Sequence, residues 1–197
     1  MVVFSLKLID DLTEVAGFID QITGPQNAIE LLPHELLGAP CAVSIGDHAF
    51  STIAIGGFST HDASMGYFES DIILLIGCLF MLISAINFGL HFVAFSKRNP
   101  SIYRFDSETK FFSWMVLISA IVTCITLVVM DILPMNKAIV HGLFQTVSIA
   151  TTTGYTSDQF AAWPSFLPVF LIILSVMGAC AGSTGGGMKA MRILLIF

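Results

Sequence analysis

Three stretches of this chain contain no Asp, Glu, Lys or Arg: between Asp71 and Lys97, between Lys110 and Asp131, and between Asp158 and Lys189. Each is long enough to cross a hydrocarbon core, since ~20 residues rising ~1.5 Å apiece traverse ~30 Å. Runs of this kind admit few folds. In lipid every backbone N–H and C=O needs a partner within the protein, so the runs predict helices. Composition agrees: of 197 residues, 55% are hydrophobic and 11% charged, against roughly 25% charged in an ordinary soluble domain. The expectation is an all-α integral membrane protein with several spans.

The net charge is −6, but the position of the charges says more than their sum. Lys97, Arg98, Arg104 and Lys110 cluster between two apolar runs, and Lys189 and Arg192 lie near the other end of the third. By the positive-inside rule both clusters face the cytoplasm. The opposite helix ends carry Asp62, Glu69, Asp71, Asp131 and Asp158, with Lys137 as the base on that side. That acidic outer surface concentrates cations modestly. Cys41, Cys78, Cys124 and Cys180 show no paired spacing, and the last three fall in apolar runs, so inert thiols are expected.

The chain divides into four parts. Residues 1–47 hold no spanning segment: Leu8, Leu12, Val15, Ile19 and Ile22 oppose Asp10, Asp11, Glu14 and Asp20, which predicts an amphipathic surface helix ended by Gly24-Pro25. The run Met1–Leu6 is too short for a signal peptide. Residues 48–97 contain a short apolar segment, a Gly56-Gly57 break and a long helix from about Asp71 to Ser96. Residues 98–110 form the basic loop. Residues 111–197 contain a helix from about Phe111 to Leu133, a short apolar segment over 136–150, and a third long helix starting near Trp163-Pro164.

An internal repeat links two of these parts. "STIAIGGFSTHD" (Ser51 to Asp62) and "SIATTTGYTSD" (Ser148 to Asp158) each place a half-length apolar segment before a glycine, an aromatic, Ser/Thr and Asp; Gly56 and Gly154 are 154 − 56 = 98 residues apart. Extended polar backbone cannot face lipid. In a re-entrant loop, carbonyls of Thr152, Thr153 and Gly154 can instead line an axis and replace an ion's water, with glycine allowing the turn. The negative end of the half-helix would favour a cation. The plainer alternative is small residues at helix crossings with threonine hydrogen bonds. Two copies, each with a half-length lead-in and a full return helix, favour the pore loop.

Four glycines between Gly182 and Gly187 cost a helix roughly 1 kcal/mol each relative to alanine, so the third run should break there. "GSTGGGMKA" has the glycine spacing of a phosphate loop, but Met188 stands where lysine is needed and no strand precedes it. Asn87 and His91, at i and i+4 of the first long helix, are expected to bond between helices. Ordinary polar roles are expected for His61 and His141. No nucleophile with its base and orienter is present, so an enzyme is not expected.

"HAFSTIAIGGFSTHDASMGYF" (His48 to Phe68), "ATTTGYTSD" (Ala150 to Asp158) and "GACAGSTGGGMKAMRILLIF" (Gly178 to Phe197) closely resemble the pore subunits of the Trk/Ktr potassium-uptake family, over about residues 48–197. The resemblance implies helix, re-entrant pore loop, helix repeats arranged like a potassium channel, of which this chain holds about two of four. It implies one filter strand at Ala54, Ile55 and Gly56 and another at Thr152, Thr153, Gly154 and Tyr155, with potassium bound there as the transported species and no cofactor. Thr156 replaces the last glycine of the channel signature, which implies a looser filter. The segment Gly182, Ser183, Thr184, Gly185, Gly186 and Gly187 corresponds to an intramembrane gate loop. Further implications are a bacterial inner (multi-pass) membrane location, a homodimer at full length, and a cytoplasmic nucleotide-binding regulatory partner resembling TrkA, with no nucleic acid. A chain supplying two filter strands is expected to be part of a full pore subunit; the alternative is a non-conducting membrane scaffold.

Overall fold

The computed structural model describes residues 46–197 apart from Glu69, Gln159, Ala161, Ala162, Ser165 and Phe197. The amphipathic helix expected within residues 1–47, and Cys41, lie outside the described residues. The first described helix, α1, covers 46–53. A turn and a 3-10 helix, Ser64–Phe68, lead to α2, Asp71–Ala85, and α3, Phe88–Ser96. A second 3-10 helix, Pro100–Arg104, precedes α4, Ser107–Val129. Next come α5, Met135–Ala150, α6, Phe166–Met177, and α7, Ala190–Ile196. Among the described residues there is no strand.

Sequence-local chemistry explains most boundaries. The Asp106 carboxylate accepts from Thr109 N at 2.8 Å, so α4 begins one turn before the expected Phe111. It ends at Val129, short of Leu133, with Asp131 in the left-handed region at φ 52°. Pro134, which has no N–H to continue a helix, opens α5 instead. The third apolar run is helical only over Phe166–Met177, because Gly178 turns the chain at φ 70°.

One expected helix is two. The run from Asp71 to Ser96 bends by 90° at Ile86 and Asn87. Ile86 is extended, and the Asn87 side chain accepts from Gly89 N at 2.8 Å, which starts α3 afresh. The break frees backbone groups that the glycine-rich segment satisfies: Cys180 N donates to Ala85 O at 3.0 Å and Phe88 N to Gly182 O at 3.1 Å. Asn87 thus caps α3 and His91 stands one turn into it, its N–H donating to the Asn87 carbonyl at 3.3 Å. His91 binds Tyr103 through Nδ1 at 2.7 Å and the Ile83 carbonyl through Nε2 at 2.9 Å, tying α3 both to the following 3-10 helix and back to α2, which is the bonding between helices expected of it. Burial pushes the Tyr103 phenol up.

The half-length helix α5 is the centre of the packing. It contacts α2, α4 and α6, and Ala138, Phe144, Val147 and Ala150 on it are fully buried. At Gly142 the backbones of α4 and α5 come so close that a Cβ would lie 3.1 Å from Cys124 Sγ and 3.2 Å from Leu127 Cδ1. Outward faces are apolar: Ile72, Leu75 and Leu79 on α2, Leu117, Ile121 and Ile125 on α4, and Val169, Ile172 and Val176 on α6 are exposed. Such faces suit lipid. α4 is long and apolar enough to cross a membrane by itself, and α2 with α3 pass the same test as a bent pair. Cys78, Cys124 and Cys180 are free thiols.

Candidate functional site

Helices α1 and α5 each end in a turn of the same construction. In the first, Ile55 and Gly57 take positive φ, 54° and 67°; in the second, Thr152 and Gly154 do, at 66° and 87°. The offset is 152 − 55 = 97 and 154 − 57 = 97. Hydrogen bonds follow the same offset. Ala54 N donates to Phe50 O and Thr151 N to Val147 O, at 2.8 and 2.9 Å; Gly56 N donates to Ser51 O and Thr153 N to Ser148 O, both at 2.8 Å. Ser51 Oγ accepts from Phe58 N at 2.7 Å, and Ser148 Oγ donates to Tyr155 O at 2.7 Å, so the same serine staples each strand to its helix.

The repeat therefore pairs Gly57, rather than Gly56, with Gly154, and Phe58 with Tyr155. The 98-residue spacing is one too long, and the first strand's counterpart of Thr152-Thr153-Gly154 is Ile55-Gly56-Gly57. Gly57, expected only as part of the Gly56-Gly57 break, thus belongs to the first strand as well. The available signal was the aromatic that follows, because 155 − 58 also equals 97.

Positive φ in a β-branched residue is an outlier, costing about 1–2 kcal/mol. Ile55 and Thr152 both carry it at matched positions, so the strain belongs to the turn rather than to either sequence. Left-handed residues at every second position rotate successive peptide planes toward one side, which suits binding a bare cation by carbonyl oxygens. The last carbonyls of α5 add a partial negative charge at the turn. Thr151 and Thr153 hydroxyls bond each other at 2.7 Å and are buried. Gly154 is exposed.

The two turns touch. A Cβ on Gly57 would collide with the Thr153 carbonyl oxygen, so this contact requires glycine on steric as well as conformational grounds. The Tyr155 hydroxyl donates across the repeat to His48 O and Phe58 O, both at 3.3 Å. Tyr155 is 1% exposed beneath α1, whereas its counterpart Phe58 is 80% exposed. Beside Phe58 lies a cavity of about 390 Å³ lined by Phe50, Ser51, Ala54, Gly56 and Ser59 among others.

The glycine-rich segment is a closed excursion from the helix axis. Met188 N donates to Val176 O and Ala190 N to Ala179 O, both at 3.0 Å, so the chain returns to where it left. Its tip lies against both turns. Thr184 Oγ1 donates to Ile53 O at 3.0 Å, at the end of α1, and Gly186 N donates to Thr152 Oγ1 at 2.6 Å. A Cβ on Gly185 would sit 3.0 Å from the Thr151 carbonyl oxygen. The Lys189 ammonium donates to Gly185 O, and Ser183 Oγ to Cys180 O at 2.6 Å. The structure thus sets the two turns against each other at Gly57 and Thr153 and places Thr184, Gly185 and Gly186 against them, whereas Gly182 lies against the Asn87 side chain. His61 stacks on Tyr67 with ring centroids 3.8 Å apart, while His141 Nδ1 is buried without a hydrogen-bond partner.

Paired half-helices ending in strained turns, set among apolar helices, define an all-α integral membrane protein of the helix, re-entrant loop, helix class. The chain belongs to the TrkH family of cation transport proteins, whose pattern matches residues 46–197. It is 53% identical over 152 residues to the Trk system potassium uptake protein TrkH of Vibrio parahaemolyticus, covering 76% of this chain and 31% of that one. Against TrkH of Halomonas elongata the identity is 42% over 190 residues, 96% of this chain and 39% of the relative. The crystal structure of the potassium transporter TrkH from Vibrio parahaemolyticus is similar with a TM-score of 0.76 and 51% identity, over 79% of this chain and 34% of that one. The chain thus spans about a third of the length of the relatives it matches.

Proposed function

We propose that this chain forms two of the four pore-loop units of a potassium-uptake pore. Dehydrated potassium would pass along backbone carbonyls of Ala54, Ile55, Gly56 and Gly57 on one side and Thr152, Thr153, Gly154 and Tyr155 on the other. The observation that carries this reading is the matched pair of strained turns at an offset of 97 residues. The segment Gly182 to Gly187 is the gate: its tip bonds to both turns, so its withdrawal opens the path beneath them. Exposed Phe58 and the cavity beside it are where a further unit's half-helix packs, as α1 packs over Tyr155. The relatives' names support potassium as the cargo.

In this reading the protein is a multi-pass component of a bacterial inner membrane, with the basic segment Lys97 to Lys110 and the residues after Lys189 on the cytoplasmic side. There a TrkA-like nucleotide-binding regulatory partner docks, and the full-length protein is a homodimer. The test is Gly154→Ala. A Cβ on Gly154 meets nothing within 4 Å, so the substitution acts only through φ 87°, at a cost of about 1–2 kcal/mol. Discrimination of potassium over sodium in uptake should fall; uptake and discrimination both unchanged would sink the filter assignment.

A further inference from the structure

Glu108 is 3% exposed, yet it stands in the first turn of α4 on the side of the basic loop. A buried carboxylate is costly unless hydrogen bonds replace its water. Its partners are specific: Oε1 accepts from Ala181 N at 2.6 Å and from Met191 N at 2.9 Å. Those two amides lie on either side of the glycine-rich segment, one just before Gly182 and one just after Ala190. A single oxygen therefore fastens both ends of the excursion to α4, the longest helix among the described residues, whose N-terminal dipole favours the charge. No other described side chain bonds both ends of this segment.

We propose that Glu108 is the positioning residue that holds the glycine-rich loop closed under the two turns and so sets how often the path opens. The inference rests on the gate reading above. Both bonds run to backbone amides, so they depend on the carboxylate and not on the loop's own side chains. Ala181 N and Met191 N must separate from Glu108 for the loop to leave as a unit. The tip contacts at Thr184 and Gly186 are then released with it.

Hydrogen–deuterium exchange tests the clamp and tracer flux tests its consequence. In Glu108→Ala, amide exchange over residues 181–191 should speed up at least about tenfold, as expected for losing two charge-assisted bonds. Exchange within α5 should not change. In proteoliposomes of the assembled transporter, rubidium-tracer flux should rise several-fold with the potassium-to-sodium ratio unchanged, a split that general loosening of the fold would not produce. Glu108→Gln keeps an acceptor oxygen and should fall between the two; if Glu108→Ala does not fold, the Gln variant carries the same comparison. Unchanged exchange over residues 181–191 would overturn the clamp. Faster exchange with unchanged flux would leave the clamp bonds standing but overturn their role in opening, and with it the gate reading.

Discussion

The backbone N–H of Gly186 donates to the hydroxyl of Thr152 across 2.6 Å, joining the glycine-rich loop to the strained turn of the other element. Residues 34 positions apart are thereby tied. Thr152→Val removes the acceptor while keeping the β-branched shape. It should destabilise the loop by about 1 kcal/mol and raise amide exchange at residues 183–188. Thr152→Ser keeps the oxygen and should restore protection; equal exchange in both variants would show that the bond does not matter.

The offset of the repeat is testable with two adjacent glycines. At Gly57, φ is 67° and a Cβ meets the Thr153 carbonyl, so Gly57→Ala should cost about 2–4 kcal/mol through combined strain and overpacking. At Gly56 φ is not positive and a Cβ meets only the Phe58 ring, at 3.2 Å, and Ser51 Oγ, at 3.4 Å. Gly56→Ala should cost less than about 1 kcal/mol, since the ring can shift. Unfolding in detergent with increasing SDS measures both. The reverse ranking would restore the 98-residue alignment.

Tyr155 joins the two repeats through one hydroxyl. Tyr155→Phe loses two long bonds, and His48 O keeps Thr52 Oγ1 as a donor at 2.6 Å. The loss should be about 1 kcal/mol or less, concentrated at the contact between the turns. Thermal unfolding followed by tryptophan fluorescence gives the size. A loss several times larger would mean that the hydroxyl organises the whole pair of turns.

The bend at Asn87 should depend on its cap. Asn87→Ala removes the acceptor for Gly89 N and should destabilise the start of α3 by about 1 kcal/mol, with faster exchange at Gly89 and Leu90. Asn87→Asp can still cap and should lose little. Because Phe88 N and Ala85 O are held by the glycine-rich segment, the 90° bend itself should survive both changes, which a spin-label distance between α2 and α3 would report.

Much of this was legible from the residues. Uncharged runs marked the helices because lipid leaves unpaired backbone no alternative, and the glycines at 154 and 182–187 marked the breaks because a continuous helix disfavours them. The boundaries at Asp106 and Pro134 were also local, although only the cap geometry placed them to the residue. The bend within Asp71–Ser96 was not legible, since Asn87 stood out only as a polar residue of one continuous helix and the groups that stabilise the bend come from residues 180 and 182. Nor was the role of Glu108, which in the sequence falls within the basic loop and shows its partners only once Ala181 and Met191 are seen against it.

By itself, then, the sequence determined that this chain lies in a membrane, is helical, and interrupts its helices at two repeated turns and one glycine-rich segment. These follow from the free energy of single segments against lipid, which needs no knowledge of neighbours. Only the tertiary structure decided which glycine matches which, where the first long helix bends, and what holds the loop under the turns. Each of those is settled by backbone groups far apart in the chain satisfying one another, and nothing in a local stretch of residues records that pairing.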